Sequence, residues 1–178
     1  MKRAILSMLS AIALISVSRA VEGPTFLGLT FPLTIGGAVY DGFTDNEAQH
    51  PGLGYTVAYR HPQFNISVYI YDLGLSVIPN DTESGPLYEN FQDSKAAVSR
   101  RGLPVELKRE FVASRGGGPK YLCVSHTIMA PGPHESLLCL SSWKNKFVKF
   151  RVTGPRTETS DIEAQTFVAA WSEVLASN

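Results

Sequence analysis

Three segments in the second half of the chain, KYLCVSHTIM (120–129), SLLCLSSW (136–143) and KFVKFRV (146–152), follow one another with short connections between them. They read as three antiparallel strands joined by hairpins. PVELKREFVAS (104–114) reads as a strand ahead of them, with Glu106, Lys108 and Glu110 on one face. Val105, Leu107, Arg109 and Phe111 fall on the other face, and only Arg109 departs from the apolar pattern. A run of strands like this needs helices to cover it, and the sequence supplies two candidates.

PLYENFQDSKAAVSRRG (86–102) repeats Leu87, Phe91, Ser94 and Val98 at helical spacing. Pro86 suits a first turn, Arg100 and Arg101 suit the negative end of the dipole, and Gly102 suits the position just past it. SDIEAQTFVAAWSEVLASN (160–178) opens with Ser160 and Glu163 in capping-box spacing. Ala164, Phe167, Val168, Trp171, Val174 and Leu175 then lie along one side.

Residues 25–43 read as two short strands around a bend, and residues 44–52 as a polar loop. Residues 55–60 and 66–71 alternate as a hairpin whose turn is HPQFN. With the turn centred on Gln63, Tyr55, Tyr59, Tyr69 and Tyr71 share one face with Val57, and the opposite face is more aliphatic. The order of elements predicts an α+β fold: a largely antiparallel sheet packed with two amphipathic helices.

The first twenty residues, MKRAILSMLSAIALISVSRA, place Lys2 and Arg3 before an apolar run and end on Ser-Arg-Ala. This is the pattern of a bacterial secretory signal peptide with cleavage after Ala20, leaving 21–178 as a single domain. The apolar run is shorter than the roughly 20 residues a membrane span needs, so the mature chain is expected not to be membrane-embedded. Removing Lys2, Arg3 and Arg19 from 16 basic residues leaves 13 against 16 acidic, a net charge of −3. Nucleic-acid binding, which needs concentrated Lys and Arg, is not expected.

The cysteines are Cys123 and Cys139. Matching the apolar faces of their strands sets even residues opposite even ones and brings Cys123 across from Cys139. His126 then falls on the other face. A disulfide fits this register and an oxidising compartment; reduced buried thiols are the alternative. A zinc site built from these cysteines with His126 and His134 would need both faces of the sheet, so no metal or other cofactor is expected.

RGGGPK (115–120) lacks the Gly-Lys-Ser/Thr of a phosphate loop and leads into a strand. It reads as a hairpin tip, with Arg115 and Lys120 as candidates for a basic contact loop. Ser125, Ser141 and Ser142 have no nucleophile-elbow setting. Asp41, Asp45 and Glu47 lack the periodic spacing of a calcium loop. The tyrosines leave two readings open: a surface for sugars, peptides or a protein partner, or a face covered by a helix.

The strand and helix order, the final amphipathic helix and the export signal together resemble the Mog1/PsbP-like α+β sandwich. The pieces LGLTFPLTIGG, GYTVAYR and VYIYDLG are similar to a group of secreted bacterial proteins of unassigned function. The first resemblance implies docking onto a larger assembly or a component of the cell envelope. The expectation is a non-catalytic periplasmic or secreted interaction or ligand-binding protein, whose partner is an unidentified envelope protein or ligand. The alternative is a small envelope hydrolase, which would gather His, Asp, Glu, Ser or Cys in one pocket.

Overall fold

The computed structural model describes residues 23–100, 102–115, 118–129 and 132–178; residues 1–22, on which the expected signal peptide falls, and Arg101, Gly116, Gly117, Ala130 and Pro131 lie outside them. Residues 25–43, expected to form two strands, contribute β1 (Thr25–Phe26), β2 (Leu29–Thr30), β3 (Thr34–Ile35) and the start of β4 (Ala38–Asp45). The reason is glycine. Gly36 and Gly37 both have positive φ and close a two-residue turn between β3 and β4. At Gly36 an added Cβ would also stand 2.9 Å from Phe167 Cα, so this turn fits against the C-terminal helix only without a side chain.

The chain continues through β5 (Tyr55–Arg60), β6 (Asn65–Tyr71), α1 (Gly85–Ser99), β7 (Val105–Ala113), β8 (Tyr121–Ile128), β9 (His134–Trp143), β10 (Lys146–Pro155) and α2 (Ser160–Ser177). β1 and β2 pair with each other. The other strands form one antiparallel sheet in the order β3-β4-β5-β6-β10-β9-β8-β7. Two meanders therefore meet at the β6–β10 seam, where Val148 pairs with Ile70 and Phe150 with Val68. This is the α+β architecture that the alternation predicts.

The helices cover opposite faces. Under α2, Ala164, Phe167, Val168, Trp171 and Leu175 pack with Val57, Tyr59, Ile66, Val68, Ile70, Leu137, Phe150 and Val152. Under α1, Leu87, Phe91 and Val98 pack with Leu122, Val124, Leu138, Leu140 and Phe147. Adjacent residues of β9, such as Leu137 and Leu138, thus enter different cores, which is why its middle, residues 137–140, is apolar without a break.

Three local expectations change. The N-cap of α2 is Thr159, one residue before Ser160. Thr159 Oγ1 donates to Glu163 Oε1 at 2.9 Å, while the Ser160 hydroxyl turns back to Thr157 O at 3.1 Å. In α1, Arg100 is the C-cap and the last turn itself holds no basic residue. In β7 a bulge falls between Leu107 and Arg109, whose partners on β8 are His126 and Ser125. Lys108 is the extra residue, so strict alternation fails there. Beyond the bulge Arg109 pairs with Asp161 in the first turn of α2 at 2.7 Å, which accounts for an arginine in an otherwise apolar row.

Candidate functional site

The tyrosine hairpin is built on a different register from the one expected. Arg60 pairs with Asn65 and Tyr59 with Ile66, leaving a four-residue turn, 61–64, in place of a five-residue one. Phe64 supplies the reason: it is buried in the core, its ring lies 5.0 Å from the His61 ring, and His61 Nδ1 accepts the Gln63 N–H. Moving the turn centre by half a residue exchanges the faces of one strand relative to the other. The four tyrosines do not share a face. Tyr55 and Tyr59 lie with Ile66, Val68 and Ile70 under α2, whereas Tyr69 and Tyr71 lie on the α1 side.

Tyr59 is part of the core. Its ring meets Phe167 and Trp171, and its hydroxyl donates to Pro32 O at 2.9 Å. Tyr55 is half-buried and stacks on Phe26 at 4.7 Å, with the exposed Phe43 close by. Tyr71 packs on Phe147 and donates to Asn90 Oδ1 of α1 at 3.2 Å. Burial raises the pKa of both Tyr59 and Tyr71. Tyr69 remains as the tyrosine that lines open space.

That space exists because α1 lies over β8 and β9. It leaves the same face of β10, β6 and β5 to half-exposed residues such as Thr56, Ala58, Ser67 and Tyr69. Beside the helix is a cavity of about 280 Å³ lined by Tyr69, Asp93, Ser94, Ala97, Leu138, Lys149 and Arg151. A second, of about 320 Å³, is lined by Asn65, Ser67, Tyr69, Ile128, Arg151 and Thr153. Tyr69 and Arg151 belong to both, so the two form one trough along the β6–β10 seam.

Lys149 is the unusual side chain in this trough. Its ammonium stands 4.8 Å from the Tyr69 ring centroid and 5.1 Å from that of Tyr71. Desolvation first, and Arg151 second, push its pKa down to about 8. Sequence reading passed over Lys149 and Arg151. The available signal was two cations at alternate places within KFVKFRV, which put charge on one face of a central strand.

An unfolded lysine titrates near 10.4, so between about pH 8 and pH 10 the unfolded chain binds more protons and stability rises with pH. Above roughly pH 10 the buried Tyr59, Tyr71 and Tyr121 reverse the slope, because their ionisation favours unfolding. It follows that Lys149→Met should melt a few degrees higher than the parent at pH 7 and lose the rise between pH 8 and 10. Thermal melts across that range measure both. A variant that melts lower, or keeps the rise, would show that Lys149 is not the residue held at a cost.

The other sequence candidates do not converge. Cys123 sits directly opposite Cys139, as the inferred register requires, and a disulfide joins them. His126 faces the α1 side, where it lines a separate cavity with Lys95 and Glu110, and its Nδ1 has no hydrogen-bond partner among the described residues. Ser125 faces the α2 side and donates to Asp161 Oδ1 at 3.3 Å. Ser141 and Ser142 donate to the backbone carbonyls of Lys120 and Ile78, both at 2.7 Å. Asp41 pairs with Arg60, Asp45 accepts the Ala48 N–H, and the Glu47 carboxylate accepts the N–H groups of Gly52 and Gly54. These acids hold the loop together.

Arg115 lines a cavity of about 130 Å³ floored by the disulfide and walled by Phe111, Tyr121 and Val168. The Lys120 backbone is fixed by Asn80, whose Oδ1 accepts its N–H at 2.9 Å. Neither residue lines the trough that contains Tyr69.

No protein-family model matches the chain, and no curated protein matches it. Among solved structures it is similar to the solution structure of cyanobacterial PsbP (CyanoP) from Synechocystis sp. PCC 6803. The identity is 16%, the match covers 92% of this chain and 96% of that one, and the TM-score is 0.52. The Ran-binding protein Mog1p of Saccharomyces cerevisiae matches at 12% identity over 83% of this chain and 84% of its own, with a TM-score of 0.40. A mutant of Mog1 matches at 12% identity over 86% and 87%, with a TM-score of 0.43. The likeness to CyanoP is one of architecture.

Proposed function

We propose that this chain is a non-catalytic, extracytoplasmic binding protein, exported by its first twenty residues and active as the single domain 21–178. In this reading it is an accessory factor of an envelope assembly. The observation that carries the reading is the open trough on the α1 side of the β6–β10 seam. There Tyr69 and two cations face a space large enough for a small ligand or an inserted partner side chain. The disulfide is consistent with an oxidising compartment. Of the side chains the sequence offered for a hydrolase, none lines this space: Ser125 and the disulfide are on the α2 side and His126 is in its own cavity.

Two measurements test the proposal. Intact mass of the protein recovered from the periplasm or medium should correspond to residues 21–178; retention of residues 1–20 in the cytoplasm would overturn export. Capture of a partner from envelope extract by the folded protein should be lost in Tyr69→Ala and kept in Tyr55→Phe. Equal capture by parent and Tyr69→Ala would remove the trough from the function.

A further inference from the structure

Lys149 differs from the other described lysines, of which Lys120 is exposed. Lys95 pairs with Glu110, Lys108 with Glu135, and Lys146 with Asp72. Lys144 lies over the Trp143 ring and reaches the carbonyl of Asn178. Lys149 is half-buried between two tyrosine rings in the middle of a central strand, and it has no ion pair among the described residues. A desolvated ammonium without an acid is costly to keep. Arg151 follows on the same face of β10, roughly 7 Å along the strand by its rise.

The remaining lining divides the trough chemically. Around Lys149 the walls are Tyr69, Ala97 and Leu138, with the Ser94 hydroxyl between them. Past Arg151 they are Ile128 and, beside it, Asn65, Ser67 and Thr153, three side chains that donate and accept hydrogen bonds. An occupant that matches this pattern has an anionic group at one end and hydroxyls along its body, with a ring face that can rest beside Tyr69.

We propose that the trough between α1 and the β6–β10 seam binds an anionic saccharide, its carboxylate or phosphate held by Lys149 and Arg151. Asn65, Ser67 and Thr153 serve its hydroxyls. The inference rests on the trough being the functional surface and adds the chemistry of what it takes. The groups facing Lys149 are Arg151 on β10, Tyr69 and Tyr71 on β6, and Asp93 on α1, the one acid in the lining. Asp93 opposes an anion, so its removal should help binding. Binding should also weaken as pH rises through about 8, where Lys149 loses its proton.

The test is calorimetric titration of the folded, disulfide-bonded protein with digalacturonate, glucose 6-phosphate, inorganic phosphate and maltose. The expected result is binding of one or both sugar anions, at least tenfold weaker binding of maltose, and at least tenfold loss in Lys149→Met. Asp93→Asn should tighten binding two- to fivefold, and Ser67→Ala should weaken it for the sugar anions only. The stronger of the two sugar anions identifies carboxylate or phosphate as the natural head group. Because Asp93 is exposed, Asp93→Asn also keeps the test valid if Lys149→Met folds poorly.

Maltose binding as well as the anions would overturn the proposal, as would inorganic phosphate binding equally with no effect of Ser67→Ala, which is an adventitious ion only. No binding of any probe overturns it too. Partner capture that persists in the parent and fails in Tyr69→Ala would then leave the broader binding function standing without the saccharide.

Discussion

Trp171→Ala is expected to destabilise the folded chain by about 3–5 kcal/mol, the range for truncating a fully buried aromatic. Trp171 is 0% exposed and touches parts of the fold that are distant in sequence. Its ring centroid lies 5.4 Å from Phe31 in the N-terminal segment, 6.1 Å from Tyr59 on β5 and 5.6 Å from Phe150 on β10. Alanine would leave a cavity bordered by all three, and the sheet cannot close around it without moving α2. Trp171→Phe separates packing from polarity. The Trp171 Nε1 has no hydrogen-bond partner, so phenylalanine removes an unsatisfied donor while keeping most of the ring, and the loss should stay below about 1.5 kcal/mol. Urea unfolding of both variants checks this. A Trp171→Ala midpoint within error of the parent would mean that α2 does not hold the two meanders together.

The two faces of the sheet differ in how far they are closed. α2 contacts β3, β9 and β10, and its core reaches across to β5 and β6. α1 contacts β8 and β9, and beyond it the sheet keeps a row of small and polar side chains. Full coverage on one side anchors the strands, and partial coverage on the other leaves the trough. In the proposed reading, stability and binding belong to opposite faces of the same strands. Lys149 makes the separation visible, since it weakens the fold where the trough lies.

The sequence was legible where both faces of a strand had a distinct character. In β8 and β9 the apolar Leu122, Val124, Leu138 and Leu140 all fall on even positions, which left one register and brought Cys123 to Cys139. In the β5–β6 hairpin both parities of β6 carry large side chains, Ile66, Val68 and Ile70 on one and Tyr69 and Tyr71 on the other, so alternation accepted two registers, and the choice fell to the turn. HPQFN reads as five loop residues, yet Phe64 is a core side chain and Asn65 begins the strand. The trough stayed hidden for the same reason. Its residues come mainly from α1, β6 and β10, with Leu138 of β9 and Ile128 of β8, and their meeting depends on β10 returning beside β6, a pairing that no local pattern encodes. The bulge at Lys108 is similarly silent, because charged residues on an edge strand satisfy either face.

Removing the disulfide, as Cys123→Ala with Cys139→Ala, should cost about 3 kcal/mol by the chain-entropy argument for a loop of this size. The two residues are 16 apart in sequence and join β8 to β9, which lie beneath α2 and between the edge strand β7 and the β6–β10 seam. Alanine is the correct replacement, because both cysteines are 1% exposed and serine would bury two hydroxyls. The register should survive, since Leu122 against Leu140 and Val124 against Leu138 are set by apolar matching independent of sulfur. The double variant should therefore unfold at lower urea with an unchanged slope, and it should keep the binding properties of the trough, which lies on the opposite face. Burial also protects the bond: reductant has to enter through the cavity of about 130 Å³ above it, so reduction of the native protein should be slow and should accelerate in partial denaturant. An unchanged urea midpoint would mean that the hairpin alone fixes the strands. Loss of trough binding in a variant that still folds would mean that the two faces are coupled through β9, and the division of labour between them would fail.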